Sequence, residues 1–478
     1  MQKLVFKLSI LILFLNSCVT KTTPEEISIS NKIDSYVNKV MKEFEIPGMA
    51  LAIVKNDEII HKSFYGISNF EYNVPVSKKT LFKVHSLTKI IVSTAIFQLI
   101  QEGKIKLEEP IGKYFNKFPE NWKAIQVKHL LSHSSGLPVM KVHRNLSEKE
   151  AKDQLFKAPI LFKAGNRYAY NRTNFWILQQ LLEKITNERI EDFIIKNQFK
   201  GVKKGISFSG DILDVVPNRV TEYYPDEKYE PKIFDFYLPD YLLSAGSLSI
   251  TLDNFINWST QFDTNSILKT GYKEQMLNPF LYTNGSSFFS YGWMLGAINK
   301  FKTIGFTGGG VSIIKKIPVK NLTIILLSNG YRYDPYIERV ANNMLSLVDN
   351  SLKVKESWLS EELEIAFNKS DNKKINTLIN NNKELPIEKI LNEIGYSFIH
   401  AIHPRIEKAI EVFIMNTKIF PKSLNTFDSL AEGYSIQGDL EKAIYNYQKA
   451  LEINEGKDER VKNNIEKRIQ ELRIKTIK

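Results

Sequence analysis

The stretch from Ile90 to Ile100 constrains the fold of this chain more than any other part of the sequence. It is apolar on most sides of a helical wheel, a pattern typical of an α-helix buried in a core. Gly103 follows as the predicted C-terminal stop of this helix. The chain has 478 residues, 43% of them hydrophobic, which is enough to surround such a helix with a large core in two or three domains.

Ser86 and Lys89 stand at the start of this predicted helix. Three residues of separation place two side chains on neighbouring spots of one helix face. A serine hydroxyl is a weak nucleophile unless a base lies close to it, and a lysine acts as that base only when burial or a second cation lowers its pKa. Because the helix is expected to be buried, and because the positive end of its dipole favours an alkoxide, we interpret Ser86 as a nucleophile and Lys89 as its base.

The spacing of this serine and lysine is weak evidence when taken alone. The same spacing recurs at three other pairs: Ser266/Lys269, Ser312/Lys315 and Ser370/Lys373. Each copy in isolation indicates only a serine near a solvated lysine. The Ser86/Lys89 pair differs because it stands at the start of a long apolar helix and because further motifs follow it in the sequence.

The chain begins with the features of an exported protein. A basic start is followed by an apolar run at residues 8–15, which is too short to span a membrane as a mature helix. The next residues, Asn-Ser-Cys18, complete a resemblance to a bacterial lipobox, and Cys18 is the single cysteine, so no internal disulfide is expected. We predict a lipoprotein signal peptide at residues 1–18, lipidation of Cys18 and a tether at residues 19–26. The alternative is a plain cleaved signal peptide with a stray cysteine.

The charge distribution argues against some partners and favours others. The formal net charge is +12, and residues 351–478 are nearly neutral, so the excess lies in the middle of the chain. No run rich in lysine and arginine with interleaved aromatics is present, which argues against nucleic-acid binding. A mildly basic body suits anionic substrates or an anionic surface. The expected location is a bacterial cell envelope, with the protein held on the membrane by lipid at its periplasmic or outer-surface side.

Residues 27–350 are predicted to form one α+β domain. Five strand-like runs lie near its two ends: 49–54, 59–65, 302–306, 311–317 and 322–327. We expect them to form one antiparallel sheet, assembled from both ends of the domain and flanked by helices. A helical lobe would fill the interval between them, and residues 201–300 within it are rich in loops.

The composition changes at about residue 351, where strand signals end and the sequence becomes helical. Two similar segments place Ala409 and Ala443 34 residues apart, which is the tetratricopeptide period. We therefore predict that residues 351–478 form an all-α, tetratricopeptide-like domain. Two repeats are too few to form a solenoid alone, so we expect them to dock on residues 355–390 or on the preceding domain and to offer a surface to a protein partner.

Four local patterns follow one another in a fixed order: Ser86-Leu-Thr-Lys89, Leu130-Leu-Ser-His-Ser-Ser-Gly-Leu-Pro138, Gly165-Asn-Arg-Tyr-Ala-Tyr170-Asn-Arg172-Thr-Asn-Phe175 and Phe306-Thr-Gly-Gly309. Together they resemble the serine hydrolases of the class C β-lactamase and penicillin-binding type, which include D-Ala-D-Ala carboxypeptidases and esterases. The resemblance covers about residues 27–350. It implies the β-lactamase/transpeptidase-like fold, no cofactor, no metal, and a small ester, amide or wall-derived peptide as substrate.

The resemblance also implies roles for individual residues. Ser86 would attack a carbonyl and form an acyl-enzyme, Lys89 would take its proton, and Tyr170 would relay protons to and from the leaving group. The backbone N–H groups of Ser86 and Gly309 would hold the oxyanion. The alternative for Tyr170 is a core aromatic with a paired hydroxyl. His133 and the serine after it are interpreted as residues that hold a turn by hydrogen bonds.

The sequence departs from the family pattern at two positions that bear on substrate binding. Arg172 stands where the family has asparagine, and Phe306 stands where it has a lysine or histidine ahead of Thr307. A phenylalanine neither binds a substrate carboxylate nor tunes the tyrosine, and a guanidinium does not accept a proton. The usual carboxylate pocket is therefore in doubt, and we expect neutral acyl esters to be cleaved better than penicillins or carboxylate-bearing peptides.

Three functional hypotheses follow from the sequence. The first is an active serine hydrolase with esterase, D,D-peptidase or β-lactamase-like activity, which Ser86, Lys89 and Tyr170 favour. The second is a catalytically weak binding protein of the envelope that keeps the fold, which Phe306 and Arg172 favour. The third is an interaction protein whose helical tail carries the function.

Overall fold

A single antiparallel sheet organises the N-terminal part of the protein. The computed structural model describes residues 24–476 apart from 227, 229, 331–335, 402 and 456–457. Its strands are β1 Gly48–Lys55, β2 Glu58–Asn69, β3 Val74–Pro75, β4 Phe82–Lys83, β5 Ile206–Phe208, β6 Tyr223–Pro225, β7 Pro231–Ile233, β8 Leu248–Ile250, β9 Met294–Ile298, β10 Phe301–Gly308, β11 Ser312–Ile317 and β12 Leu322–Ser328. Seven of them form the main sheet in the order β3-β2-β1-β12-β11-β10-β9.

The pairing of β1 with β12 joins the two ends of the domain, as the sequence predicted. Met49 lies opposite Ser328 and Lys55 opposite Leu322, in an antiparallel register. The strand β9 was not predicted, because it lies at the edge of the sheet and three of its five residues are exposed, so it lacks an apolar run. The other strands pair in small sheets, β4-β8-β5 and β6-β7, and all of these strands except β4 lie inside residues 201–300, the segment predicted to be rich in loops.

Helices cover both faces of the main sheet. Those of the domain are α1 Pro24–Glu43, α2 Thr88–Gln101, α3 Val127–Leu131, α4 Glu148–Lys157, α5 Arg172–Thr186, α6 Ile190–Gln198, α7 Leu252–Asp263, α8 Thr270–Leu277 and α9 Tyr336–Val348. The larger side chains of β1, such as Leu51 and Ile53, pack in one core with α1 and α9. The small Ala50 and Ala52 face the other core, which contains α2 and the helical lobe. The α+β class and the helical lobe are confirmed.

The predicted core helix is α2, and it lies at the centre of the helical lobe. Every residue from Thr88 to Leu99 is buried. Complete burial of an isoleucine or leucine side chain contributes about 1.5–3 kcal/mol each, so this helix supplies much of the stability of the lobe. Gly103 has a φ of +72°, a left-handed conformation that suits glycine and follows the end of the helix at Gln101.

The C-terminal part consists of helices throughout its described residues. They are α10 Lys355–Asn368, α11 Asn372–Asn380, α12 Ile387–Ile399, α13 Ile406–Ile419, α14 Leu424–Gln437, α15 Leu440–Asn454 and α16 Glu459–Thr476. From α12 to α16, consecutive helices pack against one another. The all-α class is confirmed, and the tetratricopeptide assignment stays a prediction.

The helix α10 contributes to two cores. Its Ile365 is buried together with α1 and α9, whereas Leu363 and Phe367 are buried in the core of the tail. On the first side, the fully buried Glu361 accepts a hydrogen bond of 2.5 Å from Tyr36 Oη. The boundary predicted at residue 350 thus precedes a helix that both parts of the chain share.

Of the predicted signal peptide and tether, residues 1–26, the structure describes residues 24–26. Helix α1 begins at Pro24, so the last three residues of the predicted tether, 19–26, are helical. Cys18 and the predicted signal peptide lie outside the described residues. Within the described ranges, no helix combines the length and the apolarity that crossing a membrane requires.

Candidate active site

Ser86 lies in a short turn directly ahead of the buried helix. His85–Leu87 form a turn of 3₁₀ helix, and α2 continues from Thr88. The Ser86 side chain is partly exposed, and its Oγ accepts two hydrogen bonds, one of 3.3 Å from Lys89 Nζ and one of 2.7 Å from Tyr170 Oη. The structure therefore brings together the three residues to which the sequence assigned the chemistry.

Lys89 lies where its ammonium form is unfavourable. The residue is 3% exposed, and Nζ donates a second hydrogen bond to the carbonyl oxygen of Ala245. Burial lowers the pKa of Lys89 to about 7, with a smaller contribution from the positive charge of Arg172. A substantial fraction of this lysine is therefore neutral near pH 7 and can accept the proton of Ser86.

Tyr170 is held in place through the backbone on both sides of it. Ala169 N–H donates to the carbonyl oxygen of His133 over 2.8 Å, and Asn171 N–H donates to His133 Nδ1 over 3.1 Å. The His133 ring packs against the tyrosine ring with a centroid distance of 4.6 Å. Burial, together with Lys89, holds the pKa of His133 well below its usual range. A neutral imidazole that accepts at Nδ1 carries its proton on Nε2.

His133 thus does more than the sequence suggested. Its own backbone is left-handed, with a φ of +53°, which agrees with the predicted turn. In addition, its side chain fixes the segment that carries Tyr170. Asn171 caps helix α5, because its side chain accepts a hydrogen bond from Thr173 N–H. The tyrosine is therefore fixed between a turn and a helix N-terminus.

The end of β10 approaches the Ser86 turn through backbone contacts that only glycine allows. A Cβ placed on Gly308 would lie 2.0 Å from the carbonyl oxygen of Val84. Gly309 has a φ of +58°, and a Cβ there would lie 2.9 Å from the ring of His85. The two segments that carry the predicted oxyanion donors, Ser86 and Gly309, are thus packed together.

Phe306 forms an aromatic wall beside Tyr170. Its ring centroid lies 6.3 Å from that of Tyr170 and 5.9 Å from that of Phe289, and Phe306 is 6% exposed. Thr307, the next residue, is partly exposed. The position at which the related hydrolases carry a cation is therefore apolar and closely packed in this protein.

Arg172 is the first residue of α5 and is exposed to solvent. Its charge lowers the pKa of Lys89, so the guanidinium lies within electrostatic reach of this lysine. The site therefore keeps a positive charge, but on the side of the tyrosine loop instead of the side of β10.

One pair near the site was not found from the sequence. His85 Nε2 lies 2.6 Å from Glu222 Oε1, and both side chains are buried. The two residues are 137 positions apart. Glu222 stands in a segment without helical or strand periodicity, so no local signal marks it.

Comparisons with known proteins agree with this geometry. A sequence model of the Beta-lactamase family matches residues 33–347. The Bacillus subtilis (strain 168) protein named "Putative penicillin-binding protein PbpX" is 23% identical over 337 residues, which cover 69% of this chain and 82% of that protein.

Solved structures resemble the same part of the chain. The octameric penicillin-binding protein homologue from Pyrococcus abyssi superposes with a TM-score of 0.60 and 22% identity over 70% of this chain and 81% of its own. EstCE1, described as a hydrolase with promiscuous acyltransferase activity, gives a TM-score of 0.58 and 17% identity over 68% of this chain and 100% of its own. At these identities the structures establish the fold. Because the family model spans well over half of the sequence, the chain belongs to the Beta-lactamase family.

Proposed function

We propose that the protein is a serine hydrolase that works through an acyl-enzyme on Ser86. The observation that carries this proposal is the pair of hydrogen bonds to Ser86 Oγ, from Lys89 and from Tyr170. One of these partners is a buried lysine whose pKa is about 7. A serine needs such a neighbour to become a nucleophile at neutral pH.

The geometry supports a two-step reaction. Neutral Lys89 takes the proton of Ser86 as Oγ attacks the substrate carbonyl, and the oxyanion is bound by the N–H groups of Ser86 and Gly309. Tyr170 donates its hydroxyl proton to the leaving group and regains one from Lys89. Water then attacks the acyl-enzyme, its proton passes to the same relay, and the acid product leaves with Ser86 restored.

The aromatic wall favours a neutral acyl group in the substrate. An unpaired carboxylate against the Phe306 ring would lose hydration without a partner. A charge-assisted hydrogen bond of the kind a lysine could make there contributes about 1.5–3 kcal/mol. We therefore propose small neutral esters or amides as substrates. The fold resembles that of EstCE1, described as a hydrolase with promiscuous acyltransferase activity, which supports testing an ester first.

The test is covalent labelling with a fluorophosphonate or a fluorescent penicillin, followed by mass spectrometry of the adduct. We expect the label on Ser86, and we expect Ser86→Ala to abolish it. Ser370→Ala is the matched control, since Ser370 has the same spacing to a lysine but accepts a hydrogen bond from Lys408 in the tail. A label on any other serine refutes the proposal.

A second candidate is a binding protein of the same fold with little catalytic activity. Two observations favour it: Phe306 replaces the usual cation, and Arg172 replaces the usual asparagine. The labelling experiment separates the two candidates. A folded wild-type protein that takes up neither probe while binding a wall-derived peptide supports the binding protein.

A further inference from the structure

His85 holds an unusual position directly before the nucleophile. Its φ is +46°, in the left-handed region that side chains other than glycine rarely adopt. The peptide bond between His85 and Ser86 carries the Ser86 N–H, which the proposed reaction uses to bind the oxyanion. The backbone angles of His85 therefore set the direction of this N–H.

The ring of the same residue supports the second oxyanion donor. A Cβ built on Gly309 would lie 2.9 Å from both Cγ and Cδ2 of His85. The imidazole thus fills the space against the Cα of Gly309, at the point where β10 ends. The backbone of His85 orients the Ser86 N–H, and its side chain packs against Gly309, which carries the other donor.

Glu222 fixes the position of this ring. Its Oε1 lies 2.6 Å from His85 Nε2, and the two residues are 3% and 4% exposed. The ring also meets Phe236 edge-on, with a centroid distance of 4.8 Å. Glu222 is in turn held by its own backbone, because its carbonyl oxygen accepts a hydrogen bond of 2.8 Å from Phe234 N–H.

A second backbone hydrogen bond connects the segment that carries Glu222 to the main sheet. Tyr223 is the residue after Glu222, and its N–H donates a hydrogen bond of 2.8 Å to the carbonyl oxygen of Asn329. Asn329 directly follows β12. The carboxylate is therefore carried by a segment tied to the rigid centre of the domain, which is the arrangement needed to hold a neighbouring group in one place.

We propose that His85 and Glu222 are positioning residues that align the two oxyanion donors, the N–H groups of Ser86 and Gly309. The inference rests on the proposed hydrolase function and adds a residue pair to it. Neither side chain is assigned a proton transfer. Loss of the ring or of its carboxylate anchor lets the donors move from the place where the oxyanion develops, and that movement slows the reaction.

The test compares an oxygen ester with the thionoester of the same acid and alcohol. An oxyanion hole binds a developing O⁻ better than the larger, weakly accepting S⁻ of a thionoester. An aligned hole therefore gives a high ratio of kcat/KM for the oxygen ester over the thionoester, and a misaligned hole gives a lower ratio. Full removal of one oxyanion donor costs about 10²–10³ in rate, so we expect His85→Asn to lower this ratio roughly tenfold or more.

Three further variants make the comparison specific. Glu222→Gln, which is nearly isosteric, should also lower the ratio. It replaces His85→Asn as the test if that variant does not fold. Tyr170→Phe should slow both esters by similar factors and leave the ratio unchanged. His61→Asn is the matched control, because His61 is another buried histidine, and its hydrogen bonds go to Ser30 on α1 and Tyr65 on β2 and not to the Ser86 turn.

The outcomes are distinct. A lowered ratio in His85→Asn and Glu222→Gln, with an unchanged ratio in His61→Asn, supports the proposal. Equal losses for both esters, or no loss in a folded variant, overturn it while leaving the hydrolase function intact. A wild type that hydrolyses neither ester and takes up no fluorophosphonate overturns the hydrolase function itself.

Discussion

Lys89 can act as a base because the protein makes its charged form costly. Burial is the main cause of its lowered pKa of about 7, and Arg172 is the second. A lysine with its ordinary pKa would be almost fully protonated at neutral pH. In the proposed reaction, the reactivity of Ser86 therefore depends on Arg172 at the start of α5 as well as on Lys89, three positions along the chain.

This dependence predicts a pH effect. The rate should rise with pH as Lys89 loses its proton, with the acidic limb near its pKa of about 7. Arg172→Gln removes a positive charge that disfavours the ammonium form, so the pKa of Lys89 should rise and the limb should move to higher pH. The measurement is kcat/KM for p-nitrophenyl butyrate from pH 5 to 9.

Arg167→Gln provides the control for this experiment. Arg167 is also exposed and lies on the same loop, but its guanidinium stacks over the Phe162 ring at 4.8 Å, and the pKa of Lys89 is lowered by burial and Arg172 and not by Arg167. Its pH profile should match that of the wild type. A limb that stays in place in Arg172→Gln, or moves to lower pH, contradicts the assignment of Lys89 as the base.

Phe306 predicts the choice between substrates. Phe306→Lys should shift kcat/KM toward nitrocefin and away from p-nitrophenyl butyrate by roughly one to two powers of ten, since a charge-assisted hydrogen bond to the carboxylate contributes about 1.5–3 kcal/mol. Phe306→Leu, which removes the ring without adding a charge, should not produce this shift. Strong nitrocefin hydrolysis by the wild type, with little ester activity, would contradict this prediction and make Arg172 the candidate for the missing charge.

At the scale of secondary structure, α10 is the element that departs most from expectation. Its Glu361 accepts hydrogen bonds from Tyr36 and Asn343, and its Arg339 neighbour in α9 pairs with Glu364. These contacts join the helix after the predicted boundary to the helices that cover the sheet. The packing of the N-terminal domain therefore continues into α10.

Glu361→Ala tests this role. Glu361→Ala removes the acceptor of the hydrogen bonds that the buried Tyr36 hydroxyl and the Asn343 amide donate to this carboxylate, which should cost about 1–3 kcal/mol of unfolding free energy. Glu362→Ala, one residue along, breaks only partly exposed ion pairs with Lys39 and Lys374 and should cost less than about 1 kcal/mol. The measurement is urea unfolding of the full chain, and equal effects of the two changes would contradict a structural role for α10.

The elements found from the sequence are those with a strong local pattern. The buried helix α2 and the strands β1 and β12 carry largely apolar runs, and the strands β2 and β11 lie beside turn signals at residues 55–58 and 318–321. Ser86, Lys89 and Tyr170 lie in motifs of fixed spacing. The edge strand β9 was missed because most of its residues are exposed and it carries no apolar run. The helical state of α10 was predicted, but its contacts with α1 and α9 were not, because tertiary packing decides them. The pairing of His85 with Glu222 depends on the fold and leaves no trace in spacing.

At the scale of the whole molecule, the proposed lipid anchor places the enzyme at a membrane. Cys18→Ser should release the protein into the soluble fraction or block its processing, because Cys18 is the only cysteine available for acylation. Ser17→Ala keeps the cysteine and should leave the protein with the membranes. The measurement is sedimentation after a high-salt wash, which screens any polybasic contact. A Cys18→Ser protein that still sediments after the wash has another anchor.

The pairing of β1 with β12 also has a consequence for the time at which activity appears during synthesis. Ser86 and its helix are translated early, whereas Gly309 follows more than two hundred residues later. At about 5–20 residues per second, roughly 10–45 s separate the two events. If the proposed function holds, a ribosome-bound chain carries its nucleophile for nearly half of its synthesis without the second group that binds the oxyanion, and it becomes a hydrolase only when the last strands join the first.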